Sequence, residues 1–446
     1  MKGIQWVTPP LGIVIVASLI VVSLCCASTP ALADWPQWRG PSGTGVASED
    51  AAPPLEWSNT RNVRWKVAIP GRGHSTPIVS GDRIFLTAAI AVGEQFSPRT
   101  SDRPGAHDNL PVTRSHRFVV IAIDRVSGGI VWQKTMHETV PREGGHNTAS
   151  QASASPVTDG KYLYVHFGSQ GLYCLDFDGN IVWQQQLGQM HTKHGHGEGS
   201  SPALYGDSLI VNWDHEEQSF LLALDKTTGV VRWRRDRDEV TSWSTPLIVE
   251  VDGAKQVLVC GTDRVRSYSL ETGEVIWECG GMSANIVATP VAAEGMVYVG
   301  SSYEKRALMA IRLGQARGDI TSTDHVVWSR SRGTPYVPSP LLYDGALYFL
   351  THYQNVITRV QAKTGQDAPG AMRLGELRNI YASPVAAGGY VFVTDLDGTT
   401  QVLSNTEIPR SVAVNVLGES VSASAAIVGT EMFLRGDKHL FCIAEQ

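Results

Sequence analysis

Cysteine is scarce in this sequence, and its placement excludes a disulfide framework. Of six cysteines in 446 residues, Cys25 and Cys26 lie in an N-terminal apolar run, leaving Cys174, Cys260, Cys279 and Cys442. Cys260 and Cys279 fall on the second and fourth strands of one repeat. An intervening strand sets them about 9.5 Å apart, beyond the roughly 4.4–6.8 Å that a disulfide spans. Cys174 and Cys442 occupy the same place in different repeats. The expectation is four free thiols packed as small core residues. No C-x-x-C-H segment offers a haem attachment, and no G-x-S-x-G marks a strand-to-helix nucleophile. Gly195-x-Gly197-x-Gly199 lacks the lysine and the following helix of a phosphate loop. No basic block stands out against a formal net charge of −6 and a pI near 6.1, which argues against a nucleic-acid partner.

One apolar run is long, Leu11–Leu24. It follows Lys2 and precedes Ala31-Leu32-Ala33, a small-x-small cleavage pattern. This predicts a secretory signal peptide over residues 1–33, a mature chain from Asp34, and a periplasmic or secreted location with no transmembrane segment after cleavage. An uncleaved anchor is the alternative. Lipid attachment at Cys25 or Cys26 is disfavoured, because Leu24 and Cys25 are not the small residues expected before such a cysteine.

What the sequence does have is repetition. Ser153–Leu187 reads as four short strands, with Asp159-Gly160 and Asp178-Gly179 as hairpin signals. A small hydroxyl residue followed by proline opens each unit at Thr76, Ser155, Ser201, Thr245, Thr289, Ser339 and Ser383. Ser424-Ala425 is an eighth start without the proline. The spacing is close to 44 residues in most cases, and the hydrophobic runs alternate with period 2, as in Gly295–Val299. Four strands per unit at that period mark a β-propeller. Each unit's second half is an apolar strand, a glycine turn and a strand ending near tryptophan: Trp132, Trp183, Trp233, Trp277 and Trp328. Residues 357–374 and 401–417 keep the pattern without the tryptophan. These tryptophans are read as structural wedges. Asp124, Asp176 and Asp225 recur with the repeat and are read as turn caps.

Lys438–Ala444 is a third strand with no fourth after it, and Asn62–Val67, with Trp65, is a fourth strand with no third before it. Pairing them closes the ring and leaves no open edge. The prediction is an all-β, eight-bladed propeller of four-stranded antiparallel blades over residues 62–446. Seven blades is the alternative if the divergent 338–418 region merges. Residues 34–61 are expected to pack along the outside. Ala89–Arg117 is a long polar insertion in the first blade, either functional or disordered.

The motif in 221–233, with Ala223, Asp225, Thr228, Gly229 and Trp233, resembles the pyrroloquinoline-quinone (PQQ)-type propeller repeat, over nearly the whole mature chain. The start WPQWRGPSGTG is similar to that of secreted bacterial propellers of this class. The resemblance implies one of two roles: a non-catalytic scaffold of the BamB type, or a quinoprotein dehydrogenase oxidising alcohols or sugars with PQQ and Ca²⁺. The dehydrogenases' vicinal disulfide has no counterpart here outside Cys25-Cys26. The preferred expectation is an exported, monomeric, non-catalytic binding or scaffold protein that engages a protein partner or small ligand. PQQ with Ca²⁺ at an atypical site is the alternative.

Loops after the second and fourth strands of every blade open on one face. They carry the candidate site residues His74, His146, His196, Glu198, Asp214, His215, Tyr303 and His352, and a candidate metal set His191, His194 and His196. Imidazoles and carboxylates suit a zinc-like ion, and carboxylates with carbonyls suit Ca²⁺. The competing reading is a solvated, glycine-rich loop whose histidines bond to turns, with no metal. No catalytic residue is assigned.

Overall fold

The computed structural model describes residues 1–5, 35–351, 355–368 and 372–445. Residues 1–31 form one unit and 32–446 another, and every strand belongs to the second. The proposed signal peptide, with Cys25, Cys26 and the cleavage site after Ala33, lies outside the described residues apart from residues 1–5, which carry no regular structure. Among the described residues no helix is long and apolar enough to cross a membrane.

Eight antiparallel sheets repeat one plan. Blade 1 runs outward from Ile78–Ser80 through Arg83–Val92 and Ser115–Asp124 to Ile130–Thr139. The inner strands of blades 2 to 8 begin at Val157, Ala203, Leu247, Val291, Leu341, Val385 and Ala426. The Ser153–Leu187 unit has its four strands at Val157–Thr158, Tyr162–His166, Leu172–Asp176 and Ile181–Gln185. Region 338–418 makes two blades, not one. Blade 6 looks divergent because its outer strand is only Met372–Arg373. Val63–Ala68 completes blade 8 on the outer side of His439–Ile443, with Trp65 opposite Cys442 and Lys66 opposite Phe441. The two ends of the propeller therefore close the ring on each other.

The repeat signatures acquire physical roles. The N–H of each blade-opening residue donates to the hydroxyl of the next: Thr76 to Ser155, then Ser201, Thr245, Thr289, Ser339, Ser383 and Ser424, at 2.9–3.1 Å. This belt of hydroxyls rings the central channel. It is open only at the closing seam, where Thr76 Oγ1 has no partner. The recurring aspartates cap turns as expected: Asp225 accepts from Thr227 N–H and Thr228 N–H at 3.0 Å.

The tryptophans join blades. Trp65, Trp132, Trp183, Trp233 and Trp328 each donate Nε1–H to a carbonyl of the next blade, at 2.8–3.0 Å. The Trp183 ring lies on Gly229, which holds φ +71°. A Cβ there would come within 2.7 Å of the ring, so the glycine serves both the turn and the docking. Within the blade the same ring meets an aromatic two strands in, as Trp132 meets Phe85 at 6.1 Å and Trp328 meets Tyr298 at 6.1 Å. Blade 7 has Ala413 in that register, two strands out from Phe392. Trp57, from the N-terminal segment, stacks on Phe392 instead, at 6.4 Å.

That segment corrects one expectation. Its second half does follow blades 7 and 8, with Ala47 N–H on Ala386 O and Ala52 N–H on Gly429 O. Its first half crosses the axis. Trp35 pairs with Val79 of blade 1, and Pro36 O accepts from Thr158 N–H of blade 2. Arg39 donates to Pro340 O at 2.6 Å and Pro384 O at 3.0 Å, in blades 6 and 7. Trp35 and Arg39 are fully buried. The reason is that a ring of eight blades leaves a channel at its centre. An apolar ring and a guanidinium matched to exposed strand-start carbonyls fill that channel better than water does. Burial without a carboxylate pulls the Arg39 pKa down to about 9.

All four thiols are free and buried. Val265 stands in register with both Cys260 and Cys279, so a full strand separates them. Burial pushes the thiols up, Cys260 and Cys442 to about 12, which keeps them unreactive.

Candidate functional site

The channel holds a cavity of about 290 Å³. The hydroxyl belt lines its waist, Trp38 from the crossing segment lines its inner end, and the loops between blades form its mouth. The mouth carries His74, His107, His146, Lys193, His194, His196, Trp243, Tyr303, Tyr336 and Tyr381. Trp243 is oriented by donating Nε1–H to Gly197 O at 2.7 Å. Tyr303, about half exposed, stacks on Tyr336 at 6.3 Å and 17°. His74 is buried, 3.5 Å from Asp437, and burial lowers its pKa against that carboxylate.

The insertion in blade 1 is shorter than its composition suggested, because Arg83–Val92 and Ser115–Asp124 extend into it. The remaining loop is ordered by a small ribbon, Asn109–Leu110 against Gly145–His146. It delivers His107, a residue that local spacing gave no reason to select. His107, His146, His194 and His196 cluster with ring centroids 4.9–6.1 Å apart. Burial, with the neighbouring imidazoles adding to it, lowers the His196 pKa to about 4.

The other candidates separate from this group. His191 turns away: its Nδ1 is 2.9 Å from Glu143 and its Nε2 is 3.5 Å from Glu217. The trio His191, His194 and His196 is therefore not one ligand set. Asp214 does not face the mouth. It is buried and holds Arg237 bidentately at 2.8 and 3.0 Å. His215 is buried as well, accepting His191 N–H at 3.2 Å. Both belong to blade packing: their strand end is enclosed by the next blade, which the sequence pattern of a polar loop did not reveal. His352 lies outside the described residues.

Glu198 lines the cavity, but its carboxylate is withdrawn to accept Ser169 N–H at 2.6 Å and the Ser169 hydroxyl. Gly168, at φ +54°, makes room: a Cβ there would overlap the carboxylate. Burial pushes the Glu198 pKa up to about 7; the Ser169 bonds oppose this and Glu143 adds to it. A raised folded-state pKa means the proton favours the fold. The contribution is full below the ordinary glutamate range and is lost as pH rises through about 7. Wild-type stability relative to Glu198→Gln is expected to fall between pH 4.5 and about 7, by at most roughly 1.4 kcal/mol per pH unit, and to level off above that. Paired urea titrations at several pH values check this. A constant difference would contradict the assignment.

The donor set does not fit a PQQ–Ca²⁺ centre. Glu198 is the single carboxylate among the described lining residues, and it is engaged by Ser169. The other polar groups of the lining are mainly neutral hydroxyls and imidazoles, whereas Ca²⁺ takes six to eight oxygens drawn largely from carboxylates and carbonyls. Among the described lining residues Lys193 is the one lysine or arginine that could meet a polycarboxylate quinone.

Fold and site thus define an eight-bladed PQQ-type propeller with a loop-lined channel. The chain belongs to the family described as outer membrane protein assembly factor BamB, whose model matches residues 116–369. It is similar to the outer membrane protein assembly factor BamB of Moranella endobia (strain PCIT), at 25% identity over 275 residues. That match covers 58% of this chain and spans only 63% of the relative's length. Among solved structures, BamB from Moraxella catarrhalis superposes with a TM-score of 0.54 at 15% identity, over 80% of this chain and 98% of that one. A europium-containing methanol dehydrogenase superposes at 0.56 and 11% identity, over 91% of this chain and 90% of that one. The superpositions carry the fold alone.

Proposed function

We propose that this protein is a non-catalytic scaffold of the bacterial envelope, exported to the periplasmic side, which binds a protein partner in outer-membrane protein assembly. The observation that carries the reading is the build of the channel. Lined within by Trp38 and the hydroxyl belt, it gathers aromatic and imidazole side chains from several blades at its mouth. Tyr303 and Tyr336 are the kind of amphipathic anchors that dominate protein interfaces. Membership of the BamB family supports the choice of partner class.

The test is site-specific photocrosslinking in intact cells. A photoreactive phenylalanine at Tyr303 is expected to trap one dominant envelope assembly protein. The same probe at Val412, exposed on the outer strand of blade 7, is expected to trap none. Equal capture at both positions, or none at Tyr303, would reject this face as the binding surface.

A further inference from the structure

The blade 1 insertion brings together side chains for which scaffolding has no use. His107, Asp108 and His146 each offer a ligand atom, and these atoms all lie within 4.8 Å of one another. Their proximity is built by backbone. The ribbon sets Asn109 opposite His146, and Asn147 N–H donates to Asp108 O at 2.8 Å. A third loop is tied in: His146 N–H donates to His196 O at 3.1 Å, and Asn109 Nδ2 donates to His194 O at 2.8 Å. Asp108 and His194 hold φ of +53° and +56°, an uncommon region for residues other than glycine. The loops are held in this arrangement against that preference.

The imidazoles are also prepared as ligands. His107 Nδ1 lies 2.8 Å from Gly105 O, and His194 Nδ1 lies 2.7 Å from Pro104 O. A carbonyl only accepts, so both rings carry their proton on Nδ1 and keep an Nε2 lone pair. His146 Nδ1 meets the Thr148 hydroxyl at 2.7 Å and the Thr148 N–H at 3.3 Å, and it is the tautomer donating Nδ1–H to the hydroxyl that frees the Nε2 lone pair for an ion. Metal-bound imidazoles are oriented in this way, one nitrogen held by an oxygen and the other on the ion. The His196 ring stands 4.9 Å from both His107 and His146, and its enclosed Nε2 has no hydrogen-bond partner.

We infer that His107, Asp108 and His146 hold one borderline divalent cation of the zinc class at the mouth of the channel. Two imidazole nitrogens and a carboxylate oxygen are the donors such an ion prefers. Three protein ligands leave one tetrahedral position for His196, water, or a carboxylate or imidazole from outside. The bound ion would clasp the insertion to the loop before blade 2. This set replaces the His191, His194 and His196 trio.

The experiment titrates Zn²⁺ into the purified, chelator-treated chain, carrying no polyhistidine tag, against a chromophoric competitor. One equivalent is expected to bind. Asp108→Asn, His107→Gln and His146→Gln are each expected to weaken binding at least about 10-fold, since losing even an outer-shell partner costs roughly 10–100-fold. His191→Gln is expected to change nothing. Co²⁺ in place of Zn²⁺ is expected to give a tetrahedral visible spectrum, lost in His146→Gln. His107 and Asp108 are exposed, so their variants keep the fold, and unchanged thermal unfolding of the metal-free forms checks that. Absence of saturable binding overturns the inference, as does binding that the three substitutions leave unmoved. Either result leaves the Tyr303 crosslink standing.

Discussion

Arg237→Leu is expected to cost about 3–5 kcal/mol, the loss that follows when one partner of a buried ion pair is removed. Arg237 and Asp214 are both fully enclosed between blades 3 and 4. The guanidinium spans Asp214, lies 3.5 Å from Glu239, and donates to the Tyr268 hydroxyl. Arg266 meets the same Glu239 oxygen, Oε1, and reaches Glu278 at 2.9 Å. Burial raises the Glu239 pKa and the two arginines pull it down. Without Arg237, Asp214 keeps a hydrogen bond from Ser242 at 2.6 Å but no cation. Asp214→Asn is expected to lose less than Arg237→Leu, because the buried Arg237 keeps Glu239 as a counter-ion at 3.5 Å. Urea denaturation monitored by tryptophan fluorescence measures both. A loss under about 1 kcal/mol for Arg237→Leu would place the pair in the class of screened surface bridges.

Trp35→Ala should be as severe, again about 3–5 kcal/mol. The ring is fully buried and belongs to the core cluster that runs through blades 7, 8 and 1. Its N–H and C=O both pair with Val79 at 3.0 Å, and a Cβ on Gly40 would come within 2.9 Å of the ring. Removing the ring leaves a void within that core cluster. The variant is therefore expected to bind a hydrophobic dye under native conditions as well as to melt earlier. A variant as stable as wild type would show that residues 35–45 are laid onto the propeller after it closes and contribute nothing to its core.

Much of the architecture was readable because it is periodic. Ser155 to Ser424 recur at nearly constant spacing, so one unit, once understood, explained the others. The pairing of Trp65 with the Phe441 strand followed from counting: a lone fourth strand and a lone third strand have only each other. The path of Trp35 to Gly45 was not readable, because it has no repeat and its partners, Val79, Thr158, Pro340 and Pro384, are strand starts scattered over four blades. Trp57 is a similar case. Only register in space shows it standing where blade 7 has Ala413.

The site divided along the same line. Loops such as Gln189–Ser201 were recognisable as polar and face-forming, and His146, His196 and Tyr303 do reach the mouth. Asp214 and His215 looked equivalent in sequence yet are enclosed by the next blade. His107 went unselected although it sits at the centre of the imidazole cluster. A loop's composition states which chemistry it carries but not which way each side chain turns.

The amino-acid sequence by itself determined the strands, the propeller and the way the ring closes, because a short hydrophobic period is local and its repetition multiplies the signal. Tertiary structure alone decided that 338–418 makes two blades, where Trp35 and Arg39 are buried and which histidines meet. Those outcomes depend on contacts between segments far apart in the chain, where shape and hydrogen-bond geometry choose among partners that look alike along the sequence.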